Sequence, residues 1–302
     1  MRLTPYLLLL LLSLAPISVF PQDDEDTPIT VDSAIVLVNV AVTDARGEVV
    51  PGLAERHFAI FEDEAPQKIN YFSAEETPFA AVILLDTSGS MESCVSLARS
   101  AAITFLNGMR RGDSAAVINF DSKIRVVQDF SNSVYLNDRF YELKANGMTV
   151  LNDAIYKAAE MLSTRGEKRR AIIVLSDGED TLSSKSAKRA TEAAIAANVT
   201  IYTVDMAPVD SQGKLRNHII GGLKSYAEKT GGTFVSTSGG PAMRDAFKRI
   251  VEELGSQYTL SYSPSAKKND GKFRKIRVEV ARPNLTIRTR KGYNAPKGKK
   301  NL

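Results

Sequence analysis

Four apolar runs of strand length, residues 80–85, 115–120, 171–175 and 199–204, recur between stretches of helical periodicity. Runs of near-continuous hydrophobicity suit strands covered on both faces, as in a mostly parallel sheet. Between them, apolar residues return every three or four positions. One set is Ala98, Ala101, Ala102, Phe105, Leu106 and Met109; the next is Leu151, Ala154, Ile155, Ala158 and Leu162; a third is Ala187, Ala190, Ala194 and Ala197. Further helices are expected over 223–230, ending at Gly231-Gly232, and around Met243, Phe247, Ile250, Val251 and Leu254. Each set forms one apolar stripe that can lie on a sheet. The alternation predicts a doubly wound, Rossmann-like α/β domain over residues 78–255.

The flanks carry a different period. Val36, Val38, Val40 and Val42 alternate along one strand face, turn chemistry follows at 44–47, and short strands are expected near 57–62 and 67–72. After Gly255, strands are expected at 258–262, 275–282 and 285–290, with Ile276, Val278 and Val280 sharing a face. Neither flank alone has enough strands for a stable sheet. Residues 23–77 and 256–296 are therefore expected to pair as one small β-sandwich, with the α/β domain inserted in it. Outward Lys and Arg on these strands protect the sheet edges.

Chemistry-bearing residues gather where the apolar runs end. Asp86-Thr87-Ser88-Gly89-Ser90 follows the first run directly and puts a carboxylate and hydroxyls on one tight turn. Thr149 opens a helix within Gly-Met-Thr-Val-Leu-Asn-Asp-Ala, and Asp177 follows the run 171–175 within Ser-Asp-Gly-Glu-Asp. Open α/β sheets bind ligands at the carboxyl ends of their strands. Oxygen-only donors on a rigid turn suit a hard divalent cation. Taken singly, each segment also reads as a turn or helix cap, since Asp, Ser and Thr favour both.

The composition narrows the partners. The net charge of +4 over 302 residues gives little reason to expect nucleic acid, and the one basic block is the tail, 297–302. Arg2, an uncharged Leu-rich run over 7–20 and the acidic patch Asp23-Asp24-Glu25-Asp26 describe a signal peptide over 1–22. Export to the periplasm, cell envelope or medium is expected, with membrane attachment only if that segment stays uncleaved. Cys94 is the single cysteine, so no internal disulfide is available.

At these residues the chain resembles the von Willebrand factor type A domains, which include the ligand-binding domains of integrins. The likeness rests on the ordered set Asp86-Thr-Ser88-Gly-Ser90, Thr149 and Asp177, and spans roughly 79–255. The flanking strands are similar to those of a bacterial exported group related to that family. The resemblance implies a metal-ion-dependent adhesion site in which Ser88, Ser90 and Thr149 hold Mg²⁺ directly, while Asp86 and Asp177 act largely through bound water. Mn²⁺ or Ca²⁺ are alternatives. The expected partner is a protein supplying an Asp or Glu carboxylate, and the expected role is binding rather than catalysis.

Two other functions stay open at this point: a scaffold for an envelope complex, and a metal-dependent hydrolase. The second is the weaker. His57 and His218 belong to no zinc motif, no Gly-x-Ser-x-Gly elbow occurs, and no phosphate-binding glycine loop follows a strand.

Overall fold

The computed structural model describes residues 35–136, 138–207, 214–236, 240–265 and 269–297. The expected signal peptide, the acidic patch and the basic tail beyond Lys297 lie outside the described residues. In chain order, the first strands are β1 (Val36–Thr43), β2 (Phe58–Glu62), β3 (Ala65–Gln67) and β4 (Ile69–Ser73). The alternating part contains β5 (Phe79–Asp86), α1 (Val95–Gly108), β6 (Ser114–Phe120), β7 (Ile124–Ser131), α2 (Asp138–Tyr141) and α3 (Leu151–Ser163). It continues with β8 (Arg169–Ser176), α4 (Ala187–Ala196), β9 (Val199–Asp205), α5 (Lys214–Thr230), β10 (Phe234–Ser236) and α6 (Gly240–Ser256). Last come β11 (Tyr258–Tyr262), β12 (Phe273–Val280), β13 (Thr286–Arg288) and β14 (Gly292–Asn294).

The central sheet has the order β10-β9-β8-β5-β6-β7, parallel except for the antiparallel edge strand β7. Strand β5 alternates between two cores. Phe79, Ala81, Ile83 and Leu85 pack with α1 and α6, whereas Ala80, Val82 and Leu84 pack with α3 and α4. Burial on both faces explains why these runs are almost wholly apolar. From β5 the chain winds first to β6 on one side and later to β8 on the other. The winding direction therefore reverses between β5 and β8, where ligand crevices form in such sheets.

Four-stranded antiparallel sheets flank this layer, in the orders β13-β1-β11-β4 and β14-β12-β2-β3. Each mixes strands from both chain ends, as in Val38 opposite Leu260 and Ile60 opposite Val278. Val38, Val40, Ile60, Leu260 and Ile276 meet in one core, so the two sheets form a sandwich. The single strand expected at 67–72 is instead two. Lys68 interrupts the pairing, β3 joins β2, and β4 joins β11 in the other sheet. Strand β7 was not expected because Arg125, Gln128 and Asp129 break its apolar pattern, as suits an edge. Helix α5 begins well before residue 223 and runs through Gly221-Gly222.

Glu62 is buried between the sandwich sheets and accepts the hydroxyls of Tyr262 at 2.6 Å and Tyr293 at 2.9 Å. Tyr262→Phe will lower stability by about 2 kcal/mol, because a buried carboxyl group loses a donor. A urea midpoint unchanged from wild type would contradict this.

Arg169 opens β8 and is fully buried, and among the described residues no carboxylate is bonded to it. Its guanidinium donates to the carbonyls of Glu75 (2.7 Å), Gly255 (2.6 Å) and Gln257. Glu75 lies where the chain enters the α/β layer, and Gly255 and Gln257 lie where it leaves.

Candidate metal centre

Asp86 ends β5 and Ser176 ends the adjacent β8, so both arrive at the sheet's carboxyl edge where the winding reverses. Asp86 has no solvent exposure. Its Oδ1 accepts the Ser88 amide at 2.9 Å and the Ser88 hydroxyl at 2.6 Å, and its Oδ2 accepts the Ser176 hydroxyl. The Ser88 and Ser90 hydroxyl oxygens stand 3.2 Å apart. Ser88 is buried and Ser90 is exposed.

Backbone bonds tie the other two loops to this turn. The Gly89 amide donates to the Gly147 carbonyl at 3.0 Å, and the Asn146 amide to the Thr87 carbonyl at 2.8 Å. On the far side of Thr149, its carbonyl accepts the amides of Thr181 and Leu182 at 3.0 and 2.9 Å, and its own amide donates to the Thr181 hydroxyl at 2.9 Å. The three segments singled out in the sequence are thus held in one constellation. Thr149 and Asp177 are both buried, at 2% and 6% exposure. Gly147 has φ +76°, and a Cβ there would stand 2.5 Å from the Ser122 hydroxyl, so the loop admits only glycine.

Burial pushes the Asp86 carboxyl up to about 6, and the nearby Asp177 charge adds to this, while hydrogen bonds from Ser176 and Ser88 pull the other way. A carboxylate withdrawn from water beside another favours a cation nearby. The hydroxyls suit that role. Ser88 directs its proton to Asp86, which leaves its oxygen to act as an acceptor or ligand. Among the described residues, no three Asp, Glu, His or Cys side chains are grouped to hold a metal. A cation at this edge would depend on hydroxyl donors, which is the donor set the sequence offers.

Four residues beyond the expected five help build the site. Ser176 fixes the second oxygen of Asp86; its place directly before Asp177 was the available signal. Asn119 donates to the Thr87 hydroxyl at 2.9 Å and steadies the turn from β6. Arg216 pairs with Asp205 and donates to the Asp177 carbonyl, so Asp205 serves the loop through an ion pair. The exposed side chains of Met148 and Leu182 border Thr149 on either side. Cys94 packs buried in the core at the start of α1.

A family model of the von Willebrand factor type A domain matches residues 81–179. A solved von Willebrand factor type A structure from Catenulispora acidiphila is 14% identical, with 87% of this chain and 74% of that one covered and a TM-score of 0.51. An aerotolerance-related membrane protein from Bacteroides fragilis is 18% identical, over 59% of this chain and 98% of that one, at a TM-score of 0.47. The three N-terminal domains of the type V pili tip protein Mfa5 from Porphyromonas gingivalis are 12% identical, over 87% and 69%, at 0.48. No curated protein matches the chain. At such identities the likeness to solved structures concerns the fold.

Proposed function

We propose that the von Willebrand factor type A domain of this chain is an exported protein-binding module that uses Mg²⁺ to engage an acidic group of its partner. One observation carries this reading: the buried, destabilised carboxylate of Asp86 accepts the hydroxyls of Ser88 and Ser176 at a sheet edge where backbone bonds tie the Thr149 loop to the turns on either side. Ser88, Ser90 and Thr149 would hold the ion, with Asp86 and Asp177 behind them. Magnesium supplies a hard positive charge that a partner's Asp or Glu can complete.

The chain's own residues keep that charge available. Neutral hydroxyls next to the ion leave most of its charge uncompensated. Asp86 orients Ser88 by accepting its proton, and Ser176 prevents Asp86 from turning away. This is the supporting role that outer ligands play at metal sites. Met148 and Leu182 add an apolar border of the kind that protein partners cover. Binding is favoured over hydrolysis because both hydroxyls at Asp86 donate to it, which commits that carboxylate to orientation rather than to activating water.

Titration calorimetry with MgCl₂ tests the reading. Wild-type protein will take up one ion, with Mn²⁺ as a substitute, and Asp86→Ala will show no uptake while keeping its circular dichroism spectrum. Absence of uptake by folded wild-type protein overturns the proposal.

A further inference from the structure

Two Asn-Gly pairs occur in the chain, Asn107-Gly108 and Asn146-Gly147. In such a pair the glycine nitrogen can reach the asparagine side chain, because no Cβ shields the approach. The fold treats the two pairs differently. Asn107 and Gly108 close helix α1, where main-chain amides bond to the preceding turn. That end is also packed: a Cβ at Gly108 would stand 3.4 Å from Val251 of α6. Asn146 and Gly147 lie instead in the loop before α3, and both are exposed. Among the described residues, nothing bonds to the Asn146 side chain or to the Gly147 amide. The attacking nitrogen and its target are both free.

The bonds on either side make this pair consequential. The Asn146 amide donates to the Thr87 carbonyl at 2.8 Å, and the Gly147 carbonyl accepts the Gly89 amide at 3.0 Å. These two bonds flank the reactive peptide unit and join the Thr149 loop to the Asp86 turn. Both can form only while the main chain between them keeps its ordinary length.

We propose that Asn146 is a site of spontaneous deamidation, and that its isoaspartyl product unties the Thr149 loop from the Asp86 turn. Base removes the Gly147 amide proton, and the nitrogen attacks Asn146 Cγ. A C–N bond forms and closes a succinimide ring, while the Cγ–Nδ2 bond breaks and ammonia leaves. Water then opens the ring at either carbonyl, so the net reaction consumes one water and releases one ammonia. One opening gives an aspartate on the ordinary main chain. The other routes the main chain through the side-chain carbon and lengthens it by a methylene. Both products add a negative charge, but only the isoaspartate changes the length between the two anchoring bonds.

Ageing the protein in mildly alkaline buffer tests this, with peptide mass mapping for conversion of amide to acid and isoaspartyl methyltransferase labelling. Asn146 will convert about tenfold faster than Asn107, whose glycine amide must first leave its helical bond. Asn146→Gln will lose the label, because its longer side chain closes the ring poorly. Hydrogen exchange reads the second step. The Gly89 amide will exchange about tenfold faster in the isoaspartyl fraction than in fresh protein. Asn146→Asp adds the charge on an unaltered main chain and will keep the fresh rate. No conversion at Asn146, or conversion at Asn107 just as fast, overturns the site. An isoaspartyl fraction with unchanged Gly89 exchange, or Asn146→Asp exchanging equally fast, overturns the untying. A roughly tenfold weaker Mg²⁺ uptake by the isoaspartyl fraction is the further consequence, and this clause alone rests on the metal-centre reading. Fresh protein that takes up no Mg²⁺ defeats that reading and leaves the deamidation to be judged by mass and exchange.

Discussion

Arg169→Ala will lower the unfolding free energy by more than about 4 kcal/mol, the largest single-residue effect expected in this chain. The guanidinium satisfies carbonyls of Glu75, Gly255 and Gln257 in the dry interior. Each carbonyl left without a donor costs roughly 1–3 kcal/mol, and the vacated volume adds a cavity penalty. Burial and the charge of Arg110 bring this guanidinium down to about 10, still charged at neutral pH. A buried charge without a counter-ion is normally unfavourable. Here several carbonyl dipoles replace the counter-ion. Arg169→Lys will recover only part of the loss, since one ammonium cannot reach both the entering and the leaving segment. Urea unfolding monitored by circular dichroism gives the measurement, and a loss below about 1 kcal/mol for the alanine variant would remove Arg169 from this role.

Metal-free protein will be less stable at pH 7 than at pH 4 by a contribution that Asp86→Asn abolishes. The folded carboxyl sits at about 6, above its ordinary 3.8, so the folded state holds the proton more tightly than the unfolded one. Stability from this group is therefore full below about pH 4 and falls as pH rises to about 6, after which the deficit is constant. At 1.36 kcal/mol per unit, the deficit is on the order of 3 kcal/mol at pH 7. Asparagine keeps an oxygen for the Ser88 amide and has no charge to desolvate. The variant should equal wild type near pH 4 and exceed it at pH 7. Saturating MgCl₂ should then raise the wild type alone, by preferential binding to the folded state. Equal pH profiles for the two proteins would refute the assignment.

Much of this architecture was legible in the chain because burial on two faces leaves an unmistakable mark. The runs ending at Leu85 and Leu175 contain nothing polar and the one ending at Val204 only two threonines, and the residues that follow them had to lie at one sheet edge. That logic placed Asp86 and Asp177 together before any coordinates. Thr149 was harder, since a hydroxyl near a helix start is ordinary; only its backbone ties to Thr181 and Leu182 bring it to the others. Ser176 escaped notice because a serine closing a buried strand looks like any terminator. Arg169 escaped for a related reason: a charge at the head of an apolar run reads as a boundary, whereas its carbonyl partners lie about 90 residues away in sequence. The division of 65–73 between two sheets was also invisible locally, because the choice is made by β2 and β11.

The interleaving of the sandwich strands sets an order of events during synthesis. Glu62 and Tyr262 bond across 200 residues, so β1 and the edge of β2 that receives β12 stay unpaired until nearly the whole polypeptide has been made. The α/β layer draws all its strands from one continuous stretch and can form first. Until the closing strands emerge, the valine face of β1 stays open to other chains, and that interval is when a chaperone would matter most to this protein.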